Sequence, residues 1–337
     1  MLDVSTLAWV GLIGAVAALL AIDLLVAGGR AHVVGFREAI GWSVFYVAVA
    51  LAFGVLFGVL AGWRFGAEFF AGYIVEKSLS IDNLFVFLII MAAFAVPAEH
   101  QRRVLTFGIL AALLLRAIFI ALGAALLSLF SFMFLLFGLL LIFTAVQLFR
   151  HRDQDPTIED NALVGAARRV LPFTDHYDGG KLITRVDGRR VFTPLFLVLV
   201  AIGSTDVMFA LDSIPAVFGV TEEAYIVFAA NAFALLGLRA LYFLVSGLLD
   251  RLVYLSTGLS LILAFIGVKL ALHYLHDVDD AFPEVSIGLS LAVIVAVLAV
   301  TTVASVIKVR RDPSARAHAG SLREHGPHDA AADRFPE

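Results

Sequence analysis

Gly72-Tyr73-Ile74-Val75-Glu76-Lys77-Ser78-Leu79-Ser80-Ile81-Asp82-Asn83-Leu84-Phe85-Val86-Phe87 sets two carboxylates and an ammonium inside a largely apolar stretch that runs from residue 67 to residue 96. A bilayer core takes about 20 apolar residues per helix, so this stretch predicts a membrane-spanning helix with charges at membrane depth. A second stretch, 194 to 218, repeats the pattern with Asp206-Val207-Met208-Phe209-Ala210-Leu211-Asp212-Ser213-Ile214-Pro215. In both, two acids stand six residues apart and the second is followed by a small polar residue, Asn83 or Ser213. An ionisable group at the centre of a bilayer costs about 3 kcal/mol even on lenient insertion scales, so such groups are kept for function.

The likeness extends into the next span. Ala111-Ala-Leu-Leu-Leu-Arg116-Ala-Ile-Phe-Ile resembles Ala234-Leu-Leu-Gly-Leu-Arg239-Ala-Leu-Tyr-Phe, so each acidic helix is followed by one carrying an intramembrane arginine. Spans three to five and six to eight therefore read as two copies of one unit. Because three is odd, the copies enter the membrane from opposite sides, an inverted three-helix repeat of the kind secondary transporters build around a midplane site.

The remaining composition agrees. The chain has 337 residues, 61% of them hydrophobic and 15% charged, with a mean hydropathy of +0.97. Soluble domains carry about 25% charged residues, so a cytosolic enzyme is excluded. Nine stretches are long and apolar enough to span: 7 to 27, 39 to 62, 67 to 96, 104 to 127, 131 to 149, 194 to 218, 224 to 247, 254 to 275 and 286 to 307. The predicted fold is all-α, a polytopic helix bundle of about nine spans over residues 1–307. A charged cytoplasmic loop with little core of its own is inserted at 150–193, and a disordered tail follows at 308–337. With the N-terminus outside and the C-terminus cytoplasmic, nineteen of the 24 Lys and Arg residues fall on the cytoplasmic side and only Arg64 outside, as the positive-inside rule requires. No cysteine is present, which excludes a thiolate metal site. No paired nucleophile and base, cofactor motif or nucleic-acid motif stands out, so the chain reads as a non-enzyme with no tightly bound cofactor, its partners being lipid, ions and protons.

Geometry limits what the acids do. Six residues turn a helix by roughly 600°, leaving the two carboxylates of a pair about 120° apart and about 9 Å along the axis. Convergence of Glu76 with Asp82, or of Asp206 with Asp212, needs a break, and Pro215 offers one because it cannot donate to the Leu211 carbonyl. Straight helices instead pair Asp82 with Asp212 across the repeat interface and leave Glu76 and Asp206 as relay groups. The donor set of carboxylates, the Asn83 amide and the Ser213 hydroxyl is hard and suits Mg, Ca or Mn. Lys77, Arg116 and Arg239 balance charge when the site is empty, and Asp23, alone in span one, adds a ligand or a proton acceptor. The bland reading is a set of packing ion pairs, Glu76 or Asp82 with Arg116 and Asp206 or Asp212 with Arg239. Such pairs are near break-even in energy, which does not account for so many of them.

These motifs, with Gln101-Arg-Arg-Val-Leu, Asn231-Ala-Phe-Ala-Leu-Leu-Gly-Leu-Arg239 and Ala31-His32-Val-Val-Gly-Phe-Arg37-Glu38-Ala, resemble the signatures of the TerC family of integral membrane proteins over about residues 15 to 275. The resemblance implies a bacterial inner-membrane protein of metal homeostasis, with Mn(II) as exported substrate and tellurium resistance as the phenotype that named the family. Gly203-Ser204-Thr205 stands where many relatives carry an additional Glu, leaving this chain one acid short in its sixth span. Three readings follow: a proton-driven exporter of divalent metal in which Asp82 and Asp212 are the core ligands, helped by Asn83 and Ser213, while Glu76 and Asp206 assist or carry protons; a membrane partner that supports metalation or assembly of exported metalloproteins; and an oxyanion handler using Arg116, Arg239 and Lys77.

Overall fold

A computed structural model describes residues 4–27, 36–150, 162–174, 176–186, 188–245, 253–279, 281–283 and 285–312. The side chain of Asp82 and the tail beyond Asp312 lie outside the described residues. Eleven helices and one hairpin follow in chain order: α1 Thr6–Ala27, α2 Phe36–Ala61, α3 Trp63–Ala93, α4 Ala98–Leu129, α5 Met133–Arg150, α6 Ala162–Val170, β1 Ile183–Val186, β2 Arg189–Phe192, α7 Pro194–Phe218, α8 Ala224–Leu235, α9 Leu238–Val245, α10 Leu255–Val278 and α11 Ile287–Arg311. Seven of the described helices, α1, α2, α4, α5, α7, α10 and α11, are long and apolar enough to cross a membrane. The expected helical membrane bundle is present. The other two expected spans are also helical, but α3 carries its charges along 31 residues and the 224–247 stretch is divided into α8 and α9.

The helix break therefore falls elsewhere than expected. α7 runs unbroken through Pro215 to Phe218, because the proline sits in the last turn and removes a single hydrogen bond. The chain breaks at Leu236, which is extended, and Gly237, at φ +81°. A side chain at 237 would collide with the Tyr46 ring, and the backbone there is left-handed, so only glycine fits.

Among the described residues of the 150–193 segment are the helix α6 and a hairpin. β1 and β2 pair antiparallel from Ile183↔Phe192 to Val186↔Arg189, with Gly188 between them at φ +77°. Asp-Gly between short strands is a hairpin signal, and it was present in the sequence. The Tyr177 hydroxyl donates to Phe94 O at 2.7 Å and ties the segment to the end of α3.

α3 packs against α8, α7 and α2, α4 against α7 and α8, α9 against α2, and α5 against α10. Lipid tails are as apolar as leucine, so close packing rather than water exclusion holds such helices together, and small residues permit it. The α5–α10 crossing shows this: a Cβ on Gly267 would lie 2.7 Å from the Gly138 carbonyl oxygen. Gly267→Val is accordingly expected to lower stability by about 1–3 kcal/mol through overpacking, read as a fall in the thermal midpoint in detergent. An unchanged midpoint would show that the helices do not meet there.

Candidate functional site

Three close contacts set the level of each helix at the centre of the bundle. The Cβ position of Gly72 on α3 lies 3.2 Å from Val217 on α7, and α3 begins at the end of the bundle where α7 finishes, so the two run antiparallel. At about 1.5 Å per residue, Glu76 then lies near the level of Ser213, and Asn83 near that of Asp206. On α4, the Cβ positions of Gly108 and Gly123 lie 3.0 Å from Ile202 and 3.1 Å from Phe218. That parallel register puts Arg116 between Asp206 and Ser213.

Arg116 is fully buried and draws four helices together. Its Nη1 meets the Glu76 carboxylate and donates to Asn231 Oδ1 at 3.1 Å, while Nη2 lies 3.3 Å from Asp206 Oδ1. Asn231 Nδ2 donates to Glu76 Oε2 at 3.0 Å. With its amide oriented so that both groups are satisfied, Asn83 accepts from Arg116 Nη2 at 2.9 Å and donates to Leu79 O at 3.0 Å. Two carboxylates surround one guanidinium, leaving the centre one negative charge in excess. Asp206 Oδ2, Arg116 Nε, Ser80 Oγ and Ser213 Oγ are buried there with no hydrogen-bond partner among the described residues.

The acids that converge are thus Glu76 and Asp206, one from each acidic helix. Asp212 lies round the helix beside Thr144 of α5 and is not among the partners of Arg116. Arg239 does not pair with Asp206 or Asp212. It bonds Asp23 through Nη2 at 2.8 Å, and the Tyr46 hydroxyl donates to the same carboxylate at 3.0 Å. The physical reason is the break at Gly237, after which the chain leaves the face that α8 packs on α3 and α4, and α9 packs on α2. Lys77 donates from Nζ to Ala234 O at 3.0 Å, adding a cation to the C-terminal end of α8 beside the Leu236 amide that donates to Ala232 O.

Asn231 reads in the sequence as an interhelical hydrogen-bond residue, and it makes such bonds to Arg116 and Glu76; Glu68 was not singled out. Glu68 is buried, accepts from Thr221 Oγ1 at 2.6 Å and meets Arg64 Nε at 3.2 Å. Its signal was its position two turns before Glu76 in the same apolar stretch. Nearby, His273 Nε2 lies 3.0 Å from Glu222 Oε1. The hydrogen bond from His273 holds the Glu222 carboxyl below its ordinary value, outweighing the partial burial that opposes it. A depressed carboxylate stabilises above its unfolded value and loses that contribution as pH falls through its folded one. The thermal midpoints of wild type and Glu222→Gln are therefore expected to differ at pH 6 and to converge by pH 3. The gap stays small, because Glu222 is 56% exposed.

Among the described residues, no three His, Asp or Glu side chains come together as a resident metal would need. What the centre offers is a dry set of hard oxygens around a guanidinium, in a helical, multi-pass integral membrane protein. The family described as integral membrane protein TerC matches residues 61–313, and the chain belongs to that family. It is 46% identical to an uncharacterized membrane protein of Myxococcus xanthus, covering 92% of this chain and 95% of the relative. An uncharacterized membrane protein of Mycobacterium tuberculosis is 45% identical, over 89% of this chain and 79% of its own. Alx of Escherichia coli, provisionally designated a membrane-bound redox modulator, is 41% identical over 88% of this chain and 92% of its own. No solved structure matches the chain.

Proposed function

We propose that this protein exports divalent metal ions, Mn(II) foremost, across the bacterial inner membrane in exchange for protons. The observation that carries this reading is the convergence of Glu76 and Asp206 on buried Arg116, since corresponding positions of two acidic helices deliver hard oxygens to one point at membrane depth. Glu76, Asp206, Asn83 and Ser213 form the metal path, with Asp82 and Asp212 on neighbouring faces of the same helices. Asp23, Lys77 and Arg239 balance charge or carry protons toward the inner side. The family supports a role in metal homeostasis, and oxygen donors favour manganese, magnesium and calcium over thiophilic metals.

The protein spans the membrane nine times, α8 and α9 forming one interrupted span, with its N-terminus outside. Two inverted repeats, α3 to α5 and α7 to α10, make up its centre. The packing supports this symmetry, for α3 lies against α8 as α7 lies against α4, and α5 meets its counterpart α10. An excess negative charge beside Arg116 argues against an oxyanion as cargo, and the absence of cysteine rules out thiol chemistry of the chain's own as a redox role. The chain is read as a transporter and not an enzyme.

Purified protein in liposomes holding a manganese-sensitive dye tests the reading. Mn²⁺ entry is expected to rise several-fold when a pH gradient is imposed. Entry equal to that of empty liposomes, with or without the gradient, would contradict it and favour the metalation-partner role.

A further inference from the structure

Hydroxyls buried in these helices follow a habit. Ser78, Thr144, Thr205, Ser260 and Thr301 each donate to a carbonyl three or four residues earlier, at 2.6 to 2.8 Å. Ser43 on α2, Ser80 and Ser213 do not, and none of the three hydroxyls has a partner among the described residues. Ser80 and Ser213 are 0% and 1% exposed. Buried polar groups without partners are few in native proteins, and these two lie on facing helices at the same centre. Ser80 is one turn from Glu76 at the level of Arg116, and Ser213 is at the level of Glu76. Asp206 Oδ2, also without a partner, belongs to the same seam between α3 and α7.

We propose that Arg116 is a tethered stand-in for the transported cation, and that Ser80 and Ser213 are ligands left idle while the guanidinium fills the seam. This rests on the export reading and assigns how its site is held when empty. The groups that receive the guanidinium, Glu76, Asp206 and Asn83, present carboxylate and amide oxygens, the same atoms that a hard divalent ion takes. The two serine hydroxyls add oxygens of the same hard kind along that seam. Arg116 reaches the seam from α4, and its bond to Asn231 Oδ1 on α8 gives the guanidinium a place to withdraw when the ion enters.

Thermal unfolding of the purified full chain, titrated with MnCl₂, separates this from a packing role. Ser80→Ala and Ser213→Ala remove hydroxyls that make no bond, so both are expected to keep the wild-type midpoint without metal. Each is expected to need at least tenfold more Mn²⁺ for the same upward shift. Arg116→Ala is expected to unfold at lower temperature, to be restored by Mn²⁺, and to respond at concentrations at least tenfold below wild type. Serine variants with wild-type Mn²⁺ response overturn the proposal, as does an Arg116→Ala protein that Mn²⁺ does not restore. If Arg116→Ala cannot be purified, the serine variants decide alone. Wild type with no response to Mn²⁺, Mg²⁺ or Ca²⁺ would instead sink the export reading itself. A response lost in Glu76→Gln but kept in the serine variants would sink only the stand-in.

Discussion

Arg116→Ala is expected to lose about 3–5 kcal/mol of stability, the range for removing one partner of a buried ion pair. The guanidinium neutralises Glu76 and Asp206 and satisfies Asn231 Oδ1, and all of these groups are buried. Alanine leaves two buried carboxylates without their cation, so the variant should accumulate poorly and unfold at a markedly lower temperature in detergent. Adding Glu76→Gln and Asp206→Asn to the same protein should recover most of that loss, because neutral amides do not need the missing cation. If the triple variant is no more stable than Arg116→Ala alone, the interaction is not one between charges.

Glu76→Gln should behave in the opposite way. It removes the excess negative charge and leaves Arg116 paired with Asp206, so insertion and thermal midpoint are expected to stay near wild type. The effect on a divalent guest is large. One carboxylate at 4 Å contributes about 4 kcal/mol per unit of cation charge at an effective dielectric of 20, which implies a fall in Mn²⁺ flux of at least about a hundredfold. Flux within tenfold of wild type would remove Glu76 from the metal path.

The sequence made the membrane bundle and its acidic helices legible because burial in lipid imposes a rule that each stretch obeys alone: apolar length, with charges kept only where they serve. All four acids stood out by that rule, but Asp82 and Asp212 read as the core pair, and it is Glu76 and Asp206, read as relay groups, that meet at Arg116. Their partners were another matter. Which arginine reaches which acid depends on helix crossings and on the turn at Gly237, which sends Arg239 to Asp23 and leaves both acids to Arg116. Pro215 drew attention as a breaker, yet in a last turn it costs one hydrogen bond, whereas Leu236-Gly237 breaks the chain mid-span. Glu68 reads as an ordinary polar residue until its neighbours are known, and Asn231 reads as an interhelical hydrogen-bond residue without its partners being named, since a partner on another helix leaves no mark at fixed spacing. The β1–β2 hairpin was written in Asp187-Gly188 and was hidden by the charge around it.

Mn²⁺ flux compared side by side in liposomes of wild type and Asp206→Asn, at equal protein density and with the same pH gradient, puts the central claim to its most direct trial. The expected result is gradient-driven entry in wild type and entry at the empty-liposome level in the variant. Equal entry in both would contradict the claim that the oxygens meeting at Arg116 carry the ion.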